Sequence, residues 1–205
     1  PHEAISPIIE ITIDAAANSM AAQMMEEQFA TMDAANAAIM DALEKAKKHA
    51  ELALNEVDRK VDPNAQRKLA ESKQEIVRAE GLVRDMMASA EYSLFESLVP
   101  DMKNLLSSKV EPALSQADEA ILANADSRRR EVVKLIDILS DAISGAAELA
   151  EKVEEQKDQV EEMTKMNDLA DKQDALAEKA DETMSPEEME KWRHRLVGLF
   201  GQRVL

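Results

Sequence analysis

Apolar residues recur in steps of three and four along most of the chain, a spacing that places them on one stripe of an α-helix. The first stripe consists of Ile9, Ile13, Ala17, Met20, Met24, Phe29, Met32, Ala35, Ile39, Leu43, Ala46, Ala50, Leu54, Val57 and Val61. It predicts a helix over about residues 7–61, with Ser6 as cap and Pro7 in the first turn. Residues 9–13 also alternate as a short strand would, but a strand there has no obvious partner, so helix is favoured.

A chain reversal is expected at Asp62-Pro63, because Asp can cap a helix and the residue before a proline is pushed out of the α region. The next stripe has a heptad pattern and consists of Ala65, Leu69, Ser72, Ile76, Ala79, Val83, Met86, Ala90, Leu94 and Leu98. It predicts a second helix over about residues 63–107. Pro100 is expected to kink this helix, and the break is expected between Ser107 and Pro112.

The third stripe predicts a helix over about residues 112–183. Its members are Leu114, Ala117, Ile121, Ala125, Val132, Leu135, Leu139, Ala142, Ala146, Leu149, Val153, Val160 and Met163. A single Gly145 costs about 1 kcal/mol relative to Ala, so a continuous helix is favoured over a hairpin at Ser144-Gly145 that would give four helices. Beyond Met163 the stripe thins, because Asn167 and Asp174 fall on it.

Residues 185–205 contain the clearest helix start in the chain. Ser185-Pro186 followed by Glu188 combines a cap, a first-turn proline and a capping-box Glu. One face of the predicted basic amphipathic helix forms a candidate interaction surface, made of Met189, Trp192, Leu196, Leu199 and Phe200. Two interpretations remain open: this helix docks onto the rest of the protein, or it contacts a membrane surface or another protein.

Composition agrees with an all-α protein. Only 2% of the 205 residues are aromatic, and the chain has 4 Gly and 6 Pro, whereas sheets and their turns need more of these residues. The expected fold is an elongated antiparallel helical bundle or coiled coil with very long helices. Its organisation is expected to be a bundle over residues 1–184 followed by the C-terminal helix over 185–205.

The charge distribution limits the possible partners. The net charge is −17, and residues 146–184 carry 13 acids against 5 bases, whereas 185–205 carry 3 against 4. Such an acidic chain repels phosphate backbones, so no nucleic acid is expected. Membrane contact is expected only through the C-terminal helix, and a protein partner or a homo-oligomer is the expected association.

Residues that could carry chemistry are few. The chain has no Cys, and His2, His49 and His194 show no metal-ligand spacing. Its 12 Met residues have helical spacing, which is typical of core packing rather than soft-metal binding. With so few glycines, phosphate-cradling or oxyanion loops are not expected. The sequence therefore predicts no catalytic, cofactor-binding or metal site, no cofactor, and a protein that is not an enzyme.

The basic run Arg128-Arg129-Arg130 lies within the third stripe and has two interpretations. It could be a docking site for an acidic partner. Alternatively, the arginine stems pack along the core while their heads pair with Asp126, Glu131 or another helix, and this second interpretation is favoured.

The expected function is a non-enzymatic structural, scaffold or protein-interaction module. The alternative is an amphipathic-helix protein that binds lipid or a membrane surface, and a bundle holding a hydrophobic groove for a ligand is a third. The run over residues 169–177 resembles bacterial coiled coils, including soluble regions of large envelope proteins, a resemblance of composition that implies no function. Because the first residue is Pro1, the sequence is expected to be a piece of a longer chain.

Overall fold

The computed structural model describes the backbone of residues 15–183 and the side chains of residues 22–176. Within this range the protein is all-α and has no strand. Five α-helices occur in it: α1 (Ala15–Asp58), α2 (Asp62–Ala90), α3 (Val99–Leu105), α4 (Glu111–Leu122) and α5 (Ala125–Thr183). The chain divides into two compact units, residues 1–156 and residues 157–205. The helix-or-strand alternative at residues 9–13 falls outside the described range.

The reversal predicted near Asp62-Pro63 is confirmed. Lys60 adopts a left-handed conformation with φ 63°, and its N–H donates to the carbonyl of Val57. The N–H of Val61 donates to the carbonyl of Glu56 at 2.9 Å. This pair of bonds is a Schellman motif, which ends α1 by satisfying its last carbonyls. Helix α2 then begins at Asp62, with Val61 rather than Asp62 at the N-cap position.

Helices α1 and α2 pack against each other as an antiparallel pair. The heptad stripe predicted for α2 is confirmed, since its members from Ala65 to Ala90 are all buried. One polar residue lies in this seam: the hydroxyl of Ser72 donates a 2.8 Å hydrogen bond to the backbone carbonyl of Ala46. Many of the buried residues on α1 are alanines, so the two backbones can approach closely.

The helix expected over residues 63–107 is interrupted after Ala90, where the sequence interpretation was wrong. Tyr92 is left-handed (φ 63°), and the Ser93 hydroxyl both donates to the Ala90 carbonyl and accepts from the Phe95 N–H. The turn places Phe95 in the core, where it is fully buried. Its ring packs edge-on against the ring of Phe29, with 5.4 Å between the ring centroids. Burial of a large aromatic side chain therefore outweighs the continuing helical pattern.

The segment after this turn is helical from Glu96 to Leu122, without the break predicted between Ser107 and Pro112. A 3₁₀ turn leads into α3, and a π-helical turn over Leu106–Val110 joins α3 to α4. Pro100 and Pro112 lie in the first turns of α3 and α4. Because the first-turn N–H groups of a helix have no partner within it, Pro100 is accommodated at the start of α3 and does not kink a longer helix.

The third predicted helix, over residues 112–183, is also divided. Ala123 is extended (ψ 143°) and ends α4. Asn124 then caps α5, since its side-chain oxygen accepts a 2.9 Å hydrogen bond from the Ser127 N–H. The two-residue break changes the helical phase. On α4 the predicted Ala117 is buried together with Ala113 and Ala120, whereas the predicted Leu114 and Ile121 are only partly buried.

Helix α5 runs through Gly145 without a turn, so the continuous-helix prediction holds at this position. From Val132 to Val153 the predicted stripe is buried. This part of α5 runs antiparallel to the segment before it: Lys152 pairs with Asp101 at 2.5 Å, whereas Gln116 donates to the backbone carbonyl of Glu131 at 3.2 Å.

In the second unit, the described part is the last portion of α5. Every side chain from Glu161 to Leu176 is exposed. Met163, which was placed on the buried stripe, is 57% exposed and therefore does not belong to a core within the described residues.

Candidate functional site

The interaction surface predicted from the sequence lies outside the described residues. This applies to all of Met189, Trp192, Leu196, Leu199 and Phe200. The domain boundary placed between residues 184 and 185 lies there as well. The candidate sites that follow were therefore sought among the described side chains, starting from the arginine run that the sequence singled out.

Arg128 joins three helices at one end of the first unit. Its side chain is 3% exposed, and its guanidinium binds the Asp62 carboxylate at the start of α2. The same group donates to the backbone carbonyls of Ala120, at 3.3 Å, and Ala123, at the end of α4. A guanidinium offers five donors in a planar fork, which suits several acceptors at once. Arg128 is thus a clamp for helix ends.

The two neighbouring arginines are also paired. Arg129 binds Asp58 at 2.9 Å, and Arg130 binds Glu131 at 3.0 Å. Glu131 accepts further hydrogen bonds from Lys134 and Gln116. These donors, Lys134 foremost, lower the pKa of Glu131 to about 2. Pairing with Glu131 and with other helices is therefore observed, but only Arg128 packs in the core, since the side chains of Arg129 and Arg130 are 62% and 72% exposed.

A cleft of about 500 Å³ lies beside the Arg128 clamp. Its lining consists of Val57, Asp58, Lys60, Asp62, Ala125, Asp126 and Arg129. Two of its carboxylates are already engaged, Asp58 by Arg129 and Asp62 by Arg128. These pairs neutralise charge that an ion bound at Asp58 or Asp62 would otherwise meet.

A second cleft, of about 290 Å³, lies between α1 and the turn after α2. Its lining is Met24, Glu27, Gln28, Thr31, Met32, Ser89 and Ser93. The side-chain oxygen of Gln28 is buried there without a hydrogen-bond partner. The hydroxyls of Thr31 and Ser93 donate hydrogen bonds to backbone carbonyls three or four residues earlier in the chain.

Metal and acid-base candidates are weak. Within the described range, no three His, Cys, Asp or Glu side chains come together in a way that could hold a metal ion. His49 lies 3.0 Å from Glu71, whose pKa is lowered chiefly by the hydrogen bond from Lys68. Lys68 and Glu71 form an ion pair at the α1–α2 seam, and the imidazole of His49 lies beside it. No helix among the described residues is long and apolar enough to cross a membrane.

An exposed apolar stripe lies on the last described part of α5 and is here called the distal stripe. It consists of Met163, Met166, Leu169 and Leu176, which are between 57% and 64% exposed. Leu169 and Leu176 are one heptad apart, with Met166 three residues before Leu169, as in a coiled-coil seam. Sequence reasoning missed this stripe because it continued the phase of Val153 and Val160 onto Asn167 and Asp174. The seven-residue spacing of the two leucines was the available signal.

Comparison with known proteins gives no relative: no family model, no curated protein and no solved structure matches this chain.

Proposed function

We propose that the protein is a non-enzymatic structural and protein-interaction module whose distal stripe binds a helix. The observation that carries this proposal is the exposure of Met163, Met166, Leu169 and Leu176 on a helix that has no covering element within the described residues. A row of apolar side chains at coiled-coil spacing loses unfavourable water contact when a second helix covers it.

The finer architecture belongs to the same proposal. Pairs of helices that run antiparallel, with seams rich in Ala and Leu, support an elongated antiparallel bundle or coiled coil with long helices as the working form of the protein. In such a scaffold the folded core of the first unit is a support, and binding is carried by exposed helix faces.

Hydrogen exchange on the full chain tests whether a helix covers the distal stripe. An uncovered helix opens frequently, so its amides exchange quickly, whereas a covered helix exchanges slowly. We expect protection over residues 163–176 and a loss of that protection in the Leu169→Ala/Leu176→Ala variant. Alanine has the higher helix propensity, so the loss would report lost packing and not a weaker helix.

Val77→Ala is the matched control, because Val77 is also an exposed apolar residue on a helix, at 48% exposure. This variant is expected to leave the exchange of residues 163–176 unchanged. Rapid exchange of residues 163–176 in the unaltered chain, with no change in the double variant, would contradict the proposal. Protection that appears only when phospholipid vesicles are added would favour the lipid-binding alternative instead.

A further inference from the structure

We infer that the distal stripe binds the distal stripe of a second copy of this chain, as a parallel two-stranded coiled coil in register. This inference rests on the proposed function, and it names the partner of the same surface. Three features of the described residues carry it: the heptad positions of the stripe, the polar residue within it, and the charges along its two edges.

The stripe occupies the a and d positions of a heptad. With Leu169 and Leu176 at d, Met166 and Gln173 lie at a, and all four side chains are exposed. Leu169 follows the buried Val160 by about two and a half helical turns, so the stripe lies on the opposite face of α5. A second helix can therefore cover the stripe from the side away from Val160.

Gln173 is the polar residue of this seam, and it favours a partner that presents the same residue at the same level. In a parallel pair in register, each a residue faces its own copy, so two Gln173 amides meet. Each amide both donates and accepts hydrogen bonds, so the two can satisfy each other. An antiparallel pair, or a parallel pair shifted by one heptad, would instead place Gln173 against a leucine or a methionine of the partner and leave a buried amide without a hydrogen bond.

The two edges of the stripe differ in charge, which selects the parallel orientation. Lys165 and Lys172 lie at g positions along one edge, whereas the other edge has Ala170 at e and Asp174 next to it at b. In a parallel pair the g edge of each helix faces the e edge of the other, so Lys172 lies on the edge that faces the partner's Asp174. In an antiparallel pair the g edges face each other, and Lys172 would meet its own copy.

The other acids between Met166 and Leu176 lie away from the seam. Asp168 is at c and Asp171 is at f, so neither contacts a helix packed on the stripe. At longer range two chains of net charge −17 repel each other, and salt screens that repulsion. We therefore expect association to strengthen as sodium chloride is raised from about 0.05 to about 0.5 M, whereas a strongly basic partner would bind less tightly.

The seam is short, which limits the expected affinity. Glu162 lies at the d position one heptad before Leu169, so the apolar layers begin at Met166. The layers from Met166 to Leu176 span about 15 Å. A contact of this length falls among the small interfaces, below about 1,200 Å², that belong to weak and transient complexes. A reversible dimer is therefore expected, with a dissociation constant of at least about a micromolar.

Sedimentation equilibrium on the full chain over a concentration series measures this association. The mass is expected to rise from that of one chain toward that of two. Leu169→Ala/Leu176→Ala is expected to raise the dissociation constant at least about tenfold, since each chain loses two leucines from the seam. Val77→Ala, the matched control, is expected to leave the dissociation constant unchanged.

Disulfide trapping tests the orientation and the register, because the chain has no native cysteine. Gln173→Cys places two thiols in the same layer of a parallel pair, so an interchain disulfide is expected under mild oxidation. The control is Asp171→Cys, at an f position on the outer face, which is expected to stay reduced. In a mixture of Gln173→Cys and Leu169→Cys chains, only like chains are expected to become linked, whereas an antiparallel pair would link unlike chains.

A charge exchange tests the arrangement of the edges. Lys172→Glu puts an acid on the edge that faces the partner's Asp174 and is expected to weaken association a few-fold, as for the loss of surface ion pairs. Lys172→Glu/Asp174→Lys reverses both charges and is expected to restore the association. Without such recovery these two edges do not face each other, and the parallel arrangement is overturned.

The outcomes separate this inference from the proposed function. Chains that stay monomeric while residues 163–176 are protected from hydrogen exchange would overturn the inference, and the proposed function would stand with another helix on the stripe. A dimer that Leu169→Ala/Leu176→Ala leaves intact, or a disulfide between unlike chains, would also overturn the inference. Monomers with rapid exchange over residues 163–176 would contradict both.

Discussion

A β-carbon placed on Gly145 would lie 3.2 Å from Cδ1 of Leu105. Gly145 is therefore the point at which α5 approaches the C-terminal end of α3, next to the π-helical turn. From the sequence alone, Gly145 weakens the predicted helix, and a hairpin at Ser144-Gly145 was the alternative to a continuous helix. In the folded chain it is a small residue that lets two helices pack closely.

Replacement of Gly81 and of Gly145 by alanine is expected to change the free energy of unfolding by different amounts or in opposite directions. Gly81→Ala has no atom within 4 Å of the new β-carbon and should raise the free energy of unfolding by about 0.5 to 1 kcal/mol through helix propensity. Gly145→Ala should gain less or lose stability, because Leu105 must move. Urea unfolding of both variants measures the difference. Equal gains would show that Leu105 moves aside without cost.

Replacement of Arg128 by alanine is expected to lower the free energy of unfolding by about 3 kcal/mol, since it leaves buried carbonyls at the end of α4 without donors. Arg128→Lys should recover only part of this loss, because one ammonium cannot reproduce the planar fork. Thermal and urea unfolding test both variants.

Arg129→Ala is the control for this effect. Its side chain is 62% exposed and its bond to Asp58 is a surface ion pair, so the expected cost is below about 1 kcal/mol. Equal losses for the Arg128 and Arg129 variants would contradict the clamp.

The lowered pKa of Glu131 predicts a pH-dependent contribution to stability. The folded pKa of about 2 lies below the ordinary value of 4.5, so the stabilisation is complete above pH 4.5 and is lost as the pH falls toward 2. Glu131→Gln should be less stable than the unaltered chain at pH 7, and the difference should narrow at pH 3. Asp137→Asn, on the same helix, is the control for the removal of one negative charge at pH 7.

Phe95→Ala is expected to cost about 3 to 5 kcal/mol, because it empties a fully buried site and removes the edge contact with Phe29. Tyr92→Gly in the same turn should raise stability by up to about 1 kcal/mol, since Tyr92 is left-handed and 93% exposed. Calorimetry on both variants measures these shifts. A small effect of Phe95→Ala would show that the burial of Phe95 does not cause the interruption of the helix after Ala90.

The sequence by itself determined that the chain is helical and which residues form two of the buried faces. The heptad from Ala65 to Ala90 and the stripe from Val132 to Val153 are buried as the spacing predicted. The reversal before Pro63 followed from local chemistry as well. These features depend on residues within a few helical turns of one another, so the spacing of apolar residues along the sequence predicts them.

Only the tertiary structure decided the breaks after Ala90 and Leu122 and the role of Arg128. The helix is interrupted before Phe95 because its ring packs against Phe29, which is distant in the sequence. Asp62 was predicted to cap a helix, but its carboxylate instead binds a guanidinium on another helix. The sequence does not show such partners, because the free energy comes from burial and pairing between distant segments, and that free energy exceeds the weak local preference for continuing a helix.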